Sequence, residues 1–162
     1  FKKMKNVAIF AFSTSSSAAT IPVTLKTVNH DLGVNQNVAS FVVPVGATIN
    51  MDGTAIMQGL ATVFIAQMSG IDLSLFQYIQ VVLLAVATSI GTAAVPSAGT
   101  ITLIIILQQF NLPLEAIGII LAVDRVLDMI RTSVNVTGDA AIACIVAKSE
   151  NQLDENIFNS KT

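Results

Sequence analysis

Apolar and polar residues follow each other in blocks along this chain, and one arrangement occurs twice. A short apolar run at 7–12 ends in the small-residue stretch STSSSAATIP (13–22), and a return segment follows to residue 30. Residues 75–90 are apolar again, GTAAVPSAG (91–99) interrupts them, and 101–110 return. The first run is far shorter than the roughly 20 residues that span a bilayer, and Pro96 prevents a continuous helix in the second. The pattern predicts two re-entrant helical hairpins, over 1–30 and 74–111.

A long, mainly apolar segment follows each predicted hairpin, over 36–68 and 112–148. NMDGT (50–54) interrupts the first of them, and unwound backbone at membrane depth is tolerated only where it lines a cavity or is buried in protein. The alternatives are a capped break there and a soluble Ser-rich loop at 13–22. Interrupted segments at matching positions of two halves are typical of secondary transporters. The predicted fold is all-α and integral to a membrane, with two hairpins alternating with two long transmembrane helices.

The second long segment carries a polar stripe. Asp124, Asp128, Arg131, Asn135 and Asp139 fall at helical spacings that confine them to an arc of roughly 80°. Charged groups within a bilayer are costly and usually mark a functional site. The stripe therefore predicts a helix whose polar face meets a binding site, and a structural ladder of ion pairs is the alternative.

Composition and charge narrow the classes of protein. Mean hydropathy is +0.74 and only 11% of residues are charged, against about 25% in soluble domains. A net charge of −2 gives no basic surface for nucleic acid, and a single cysteine, Cys144, cannot form an internal disulfide. The first residues, FKKMKN, resemble the interior of a longer chain, and we expect 151–162 to form a poorly ordered cytoplasmic tail.

The basic residues predict the orientation. Six of the eight flank the first hairpin or follow the last long segment: Lys2, Lys3, Lys5, Lys26, Lys148 and Lys161. Cytoplasmic loops carry the excess of Lys and Arg, so the C-terminus is expected on that side of a cell membrane that the protein crosses several times.

The stripe has the chemistry of a site for a small zwitterion with an additional carboxylate. Arg131 offers a planar fork of donors for a carboxylate, and Asp128 can accept from an ammonium. Helix N-termini at the hairpin turns suit a second carboxylate. Asp52 and Asp139 remain as surplus anions that call for cations, and spacing alone does not choose between sodium and protons. An intramembrane aspartyl protease would also pair aspartates, but its Gly-x-Gly-Asp pattern is missing from VTGD (136–139).

Four segments carry a resemblance to a known family. SSSAATIP, GATINMDGT, SIGTAAVPSAG and DRVLDMIRTSVNVTGD resemble, in order, hairpin 1, helix 7, hairpin 2 and helix 8 of the dicarboxylate/amino acid:cation symporters, the glutamate transporter homologues. The resemblance extends from about Phe10 to Lys148. It implies that residues 1–150 are part of a mobile transport domain. It also implies six preceding scaffold helices and a homotrimer for the full-length protein.

The resemblance also implies the roles of individual residues. Ser15, Ser16 and Ser17 would meet the substrate α-carboxylate together with Thr132 and Asn135, whereas Arg131 and Thr54 would hold the side-chain carboxylate. Asp128 would bind the amino group near the Val95 carbonyl, and Gly99 belongs to the same substrate site. The sodium ligands implied are Gly46, Asn50, Asn135 and Asp139 at one site, Thr48, Ser89, Ile90 and Thr92 at another, and Asn50 and Asp52 at an incomplete third.

Within the resemblance, the acids Asp128 and Asp139 indicate which substrate and which ion the protein would carry. Dicarboxylate carriers of the family lack an acid at the position of Asp128, and proton-coupled relatives have Asn at that of Asp139. The resemblance thus implies a symporter, not an enzyme, that imports aspartate or glutamate with sodium by an elevator mechanism, without a cofactor. A proton-coupled glutamate symporter or a C4-dicarboxylate symporter is the alternative. We expect Asp124 to orient Arg131.

Overall fold

The computed structural model describes residues 2–160, so Lys161, which contributed to the predicted orientation, lies outside it together with Phe1 and Thr162. The described residues form eight α-helices: α1 (Lys5–Thr14), α2 (Ser17–His30), α3 (Gln36–Ile49), α4 (Asp52–Met68), α5 (Leu75–Ile90), α6 (Ala98–Gln109), α7 (Ile117–Ser149) and α8 (Glu155–Asn159). Short 3-10 helices precede α1 at Lys2–Met4 and α7 at Leu114–Ala116. All regular structure in the described part is helical, apart from one isolated bridge.

The two segments predicted as hairpins each contain two helices in contact. Ser15, with φ of +52°, ends α1, and the Ser16 side chain caps α2 by accepting from the Ala19 N–H at 3.2 Å. We call Ser15 and Ser16 the first turn. Ser74 and Gln77 form a capping box at the start of α5, and residues 91–97, here the second turn, separate α5 from α6. The breaks lie where Ser, Gly and Pro predicted them; entry into a membrane stays a prediction.

The segment 36–68 is two helices with a short interruption. α3 ends at Ile49, α4 begins at Asp52, and Asn50 and Met51 have non-helical backbone angles. The Asn50 N–H still donates to the Gly46 carbonyl at 2.8 Å, so the last turn of α3 stays closed. In the described part of the chain, no helix combines the length and the apolar composition needed to cross a membrane.

α7 is the element around which the others pack. Its second half lies in an apolar cluster with α1, α2 and α3, in which Val7, Val28, Val43 and Ala143 are buried. Its first half adjoins another cluster with α4 and α6, which contains Ile65, Leu103 and Ile120. The predicted polar stripe is buried between these clusters, because α1, α2, α3, α4 and α6 pack against α7.

The C-terminal segment differs from the expected disordered tail. Val34 and Leu153 form an antiparallel bridge, flanked by bonds from the Asn35 N–H to the Gln152 carbonyl (3.0 Å) and from the Asp154 N–H to the Gly33 carbonyl (2.8 Å). The Lys3 ammonium donates to the carbonyls of Ile157 and Phe158 at the end of α8, at 2.6 and 2.9 Å. Residues 150–160 are thus held by backbone bonds that a polar composition does not reveal, and the expectation of poor order is wrong for them.

Many large apolar side chains face outward. Leu75 is 78% exposed and Phe41 69%, and further exposed apolar residues lie along α4, α5 and α7. Soluble monomers rarely expose continuous apolar surface of this kind, which usually marks contact with protein or lipid.

Candidate functional site

A small cavity lies where both turns meet the α3–α4 interruption and α7. Its lining residues are Ser15, Ser17, Met51, Thr54, Thr92, Ala93, Ala94, Val95, Gly99, Asp128, Arg131, Thr132 and Asn135. As it stands the cavity is narrow, with a volume of about 10 Å³, which is room for about one water molecule at most. Of the ten residues predicted to bind substrate, nine line this cavity, and Ser16 lies beside it in the first turn.

Arg131 and Asp128 form a buried ion pair at this cavity. Arg131 Nη2 donates to Asp128 Oδ1, and the second oxygen of Asp128 accepts the backbone N–H of Ser97 at 2.8 Å. A carboxylate has about four acceptor positions, so Asp128 can accept further donors. Within residues 2–160, Arg131 Nη1 is buried without a hydrogen-bond partner. A buried unpaired donor costs about 1–3 kcal/mol or more, which an anionic ligand would recover.

The first turn brings further donors to the cavity. Ser15 is 1% exposed, and its hydroxyl is the other side-chain atom that is buried without a partner in the described residues. Ser17 is the first residue of α2, whose N-terminus carries partial positive charge. Ser16 contributes differently from the expectation, because its hydroxyl donates to the Ala94 carbonyl at 2.9 Å and so joins the first turn to the second.

Asn135 connects α7 to the beginning of α4. Its Oδ1 accepts the Gly53 N–H at 2.8 Å, and its Nδ2 lies 3.3 Å from Thr54 Oγ1. Gly53 packs so closely on α7 that an added Cβ would lie 2.5 Å from the Arg131 carbonyl oxygen. The absence of a side chain at Gly53 therefore permits the close approach of α4 to α7 at this point.

The structure brings Asp139 close to Gly46 and Asn50, two of the residues whose carbonyls were predicted to share a sodium site with its carboxylate. Asp139 Oδ1 accepts from Asn50 Nδ2 at 3.1 Å, and a Cβ added at Gly46 would lie 2.7 Å from the same oxygen. Asp139 is 1% exposed. Its contacts with Gly46 and Asn50 place it at the C-terminal end of α3, where helix carbonyls carry partial negative charge. Carboxylate, amide and carbonyl oxygens are ligands for a hard cation. That they bind sodium stays a prediction.

The other predicted sodium ligands are only partly assembled. Ser89, Ile90 and Thr92 lie at the end of α5, with the Thr92 N–H bonded to the Ser89 carbonyl at 3.0 Å. Thr48 is exposed and donates to the Val45 carbonyl of its own helix, and no hydrogen bond among residues 2–160 joins it to the end of α5. Asp52 is exposed but near Asn50, since a Cβ at Gly138 would contact both, 3.0 Å from Asp52 Oδ2 and 2.8 Å from Asn50 Nδ2.

Comparison with known sequences identifies the family. Residues 1–149 match the sequence model of the sodium:dicarboxylate symporter family. The chain belongs to this family. It is 50% identical to excitatory amino acid transporter 2 of Mus musculus over 95% of the chain, and 46% identical to excitatory amino acid transporter 3 of the same species over 98%. It is 51% identical to an excitatory amino acid transporter of Caenorhabditis elegans over 85%.

The chain spans between 27% and 30% of the length of these three relatives. Family membership confirms the resemblance on which the sequence analysis relied, and both the family and the named relatives are transporters.

Two residues have contacts that differ from the prediction or were not predicted. Asp124 was expected to orient Arg131, but its carboxylate instead accepts from Ser97 Oγ at 2.6 Å and from Thr100 Oγ1. Gln58 is fully buried, and its Nε2 donates to the Gly99 carbonyl at 3.0 Å and to Thr102 Oγ1 at 2.7 Å. Both residues bond to groups outside their own helix, so spacing along one helix could not reveal these contacts. The sequence signal that could have pointed to them was a polar residue within an apolar run.

Proposed function

We propose that this chain forms the ligand-binding part of a membrane symporter that imports an acidic amino acid together with sodium. The observation that carries the proposal is the small cavity in which Arg131 keeps one buried donor unpaired beside the carboxylate of Asp128. Family membership supports symport, and the exposed apolar side chains support a location in a membrane.

The cavity has complementary groups for each charge of an acidic amino acid. Arg131 Nη1 would donate to the side-chain carboxylate, with the Thr54 hydroxyl nearby. The ammonium would take the remaining acceptor capacity of Asp128, near the Val95 carbonyl. The α-carboxylate would meet the N-terminus of α2 at Ser15 and Ser17, on the side of Thr132 and Asn135. A dicarboxylate without an amine would leave this acceptor capacity without a donor and would add a second unbalanced negative charge to the cavity, which disfavours a C4-dicarboxylate.

The cavity must open to admit such a ligand. The Ser16 hydroxyl and the Ala18 N–H both donate to the Ala94 carbonyl, at 2.9 and 3.3 Å, and thereby hold the two turns together. We propose that the second turn withdraws for entry and closes when sodium occupies the sites near Asp139 and near Ser89 and Thr92. Closure over substrate and ions would then permit the movement of the whole domain, as the elevator mechanism requires, with the C-terminus in the cytoplasm.

Uptake into liposomes tests the proposal. The full-length protein is reconstituted, and uptake of labelled aspartate is measured with an inward sodium gradient, with an inward proton gradient, and with neither. Sodium-dependent uptake that excess glutamate inhibits, and succinate does not, is the expected result. Equal uptake with protons alone would overturn the sodium assignment, and inhibition by succinate as strong as by glutamate would favour a dicarboxylate carrier.

A further inference from the structure

Asp124 is a buried carboxylate to which the proposed function gives no role. It is 4% exposed and lies one helical turn before Asp128 on the same face of α7. The two ion pairs of the described residues, Arg131–Asp128 and Lys148–Glu155, do not include it. A carboxylate buried without a cation needs hydrogen bonds to offset its lost hydration. Asp124 obtains them from the start of α6.

Both oxygens of Asp124 accept a hydroxyl donor. Ser97 Oγ donates to Oδ2 at 2.6 Å, and Thr100 Oγ1 donates to Oδ1. Ser97 is the last residue of the second turn, and Thr100 is the third residue of α6. Ser97 occupies the N-cap position with φ of +61°, yet its side chain makes no capping bond within α6. The hydroxyl that would ordinarily cap its own helix is instead bound to α7.

The start of α6 is thus held by two carboxylates of a neighbouring helix. Asp128 Oδ2 accepts the Ser97 N–H, and Asp124 accepts both hydroxyl groups. Anions are favoured at a helix N-terminus, and hydrogen bonds to charged acceptors are about twice as strong as neutral ones. Asp128 also serves Arg131, and under the proposed function it serves the ligand ammonium. Asp124 has no role in ligand binding under that proposal, so its hydrogen bonds to Ser97 and Thr100 do not depend on whether ligand is bound.

We propose that Asp124 is a positioning residue that latches the start of α6, and with it the second turn, over the cavity. The significance of the latch for transport rests on the proposed function, whereas the latch itself is a property of the contact between α6 and α7. Weakening it should increase the fraction of molecules with an open second turn. The ligand would then dissociate faster, so KM would rise more than the maximal rate falls.

The rate of thiol modification reports this opening without requiring transport. Ala98 is buried beside Ser97, so Ala98→Cys in a background of the full-length protein from which Cys144 and every other cysteine have been removed gives a single probe at the latch. In liposomes, Asp124→Asn should accelerate its reaction with a water-soluble thiol reagent at least tenfold. Thr100→Val should accelerate it at least threefold, and Thr100→Ser, which keeps the hydroxyl, should restore the parent rate. The matched control is Asp72→Asn, an exposed acid in the α4–α5 connection.

The outcomes separate the latch from the proposed function. Unchanged reactivity in both Asp124→Asn and Thr100→Val would overturn the latch, as would equal reactivity of Thr100→Val and Thr100→Ser. If Asp124→Asn does not fold, the two Thr100 variants test the latch instead, because Thr100 is the donor of the hydrogen bond that Asp124 accepts. If the parent protein takes up no acidic amino acid but the variants open as expected, the proposed function fails and the latch stands. A rise in aspartate KM of at least fivefold in Asp124→Asn, at little-changed maximal rate, would support both.

Discussion

Replacement of Gly53 by alanine should show how closely α4 must approach α7. The added Cβ would lie 2.5 Å from the Arg131 carbonyl oxygen and 3.1 Å from the Arg131 Cα, both backbone atoms that no rotamer change can move. Restoring an ordinary contact requires the helices to separate by roughly 1 Å, and overpacking of this kind typically costs about 1–3 kcal/mol. The same movement would stretch the Gly53 N–H bond to Asn135, now 2.8 Å, towards about 3.8 Å and so break it.

The same helix supplies a matched control. A Cβ added at Gly59 meets no atom within 4 Å, so Gly59→Ala should stabilise α4 by about 1 kcal/mol through helix propensity alone. Both variants gain the helix propensity of alanine, so their free energies of unfolding should differ by the overpacking cost alone, about 1–3 kcal/mol, with Gly53→Ala the less stable. Equilibrium unfolding of the full-length protein in mixed detergent micelles measures the difference. If the two variants agree within about 0.5 kcal/mol, the close approach of α4 to Arg131 does not constrain the site and the reasoning fails.

Three further predictions concern the site and the C-terminal segment. Arg131→Cys should weaken aspartate binding by about 10–100-fold, because it removes charged hydrogen bonds, and should let serine compete for uptake; a variant that still favours aspartate contradicts the assigned role. Asp139→Asn should raise the half-saturating sodium concentration for uptake by about tenfold or more, and an unchanged sodium dependence would exclude Asp139 as a ligand. Lys3→Gln should lower stability by about 1 kcal/mol or less and speed proteolysis at 155–160, and equal cleavage rates would show that the Lys3 contacts contribute nothing.

The helices and their interruptions were predictable because they depend on local composition. Gly and Pro at 91–99 and serines at 13–17 end helices through their own backbone preferences, and the structure breaks there. The spacing of Asp128, Arg131 and Asn135 predicted a shared face of one helix, and these residues do meet in one cavity. Periodicity within one element was sufficient for these predictions.

Contacts between elements were not predictable in the same way. Asp124 was assigned to Arg131 because they lie seven positions apart, but the start of α6 supplies two hydroxyl donors that spacing along α7 cannot show. The C-terminal segment was expected to be disordered because it is polar. Its order depends on backbone bonds to Gly33 and Asn35, more than one hundred residues away in sequence. Backbone groups are the same in every residue, so such pairing leaves no compositional signal.

The interruption at Asn50 and Met51 has a consequence for how selectivity can change. It places the negative end of α3 and the positive end of α4 within two residues of each other, the first facing Asp139 and the second facing Arg131 through Gly53 and Thr54. Under the proposed function, the cation site and the anion site would therefore share one stretch of backbone. A substitution or insertion there would alter both sites at once, so neither can be re-engineered at this position without retuning the other.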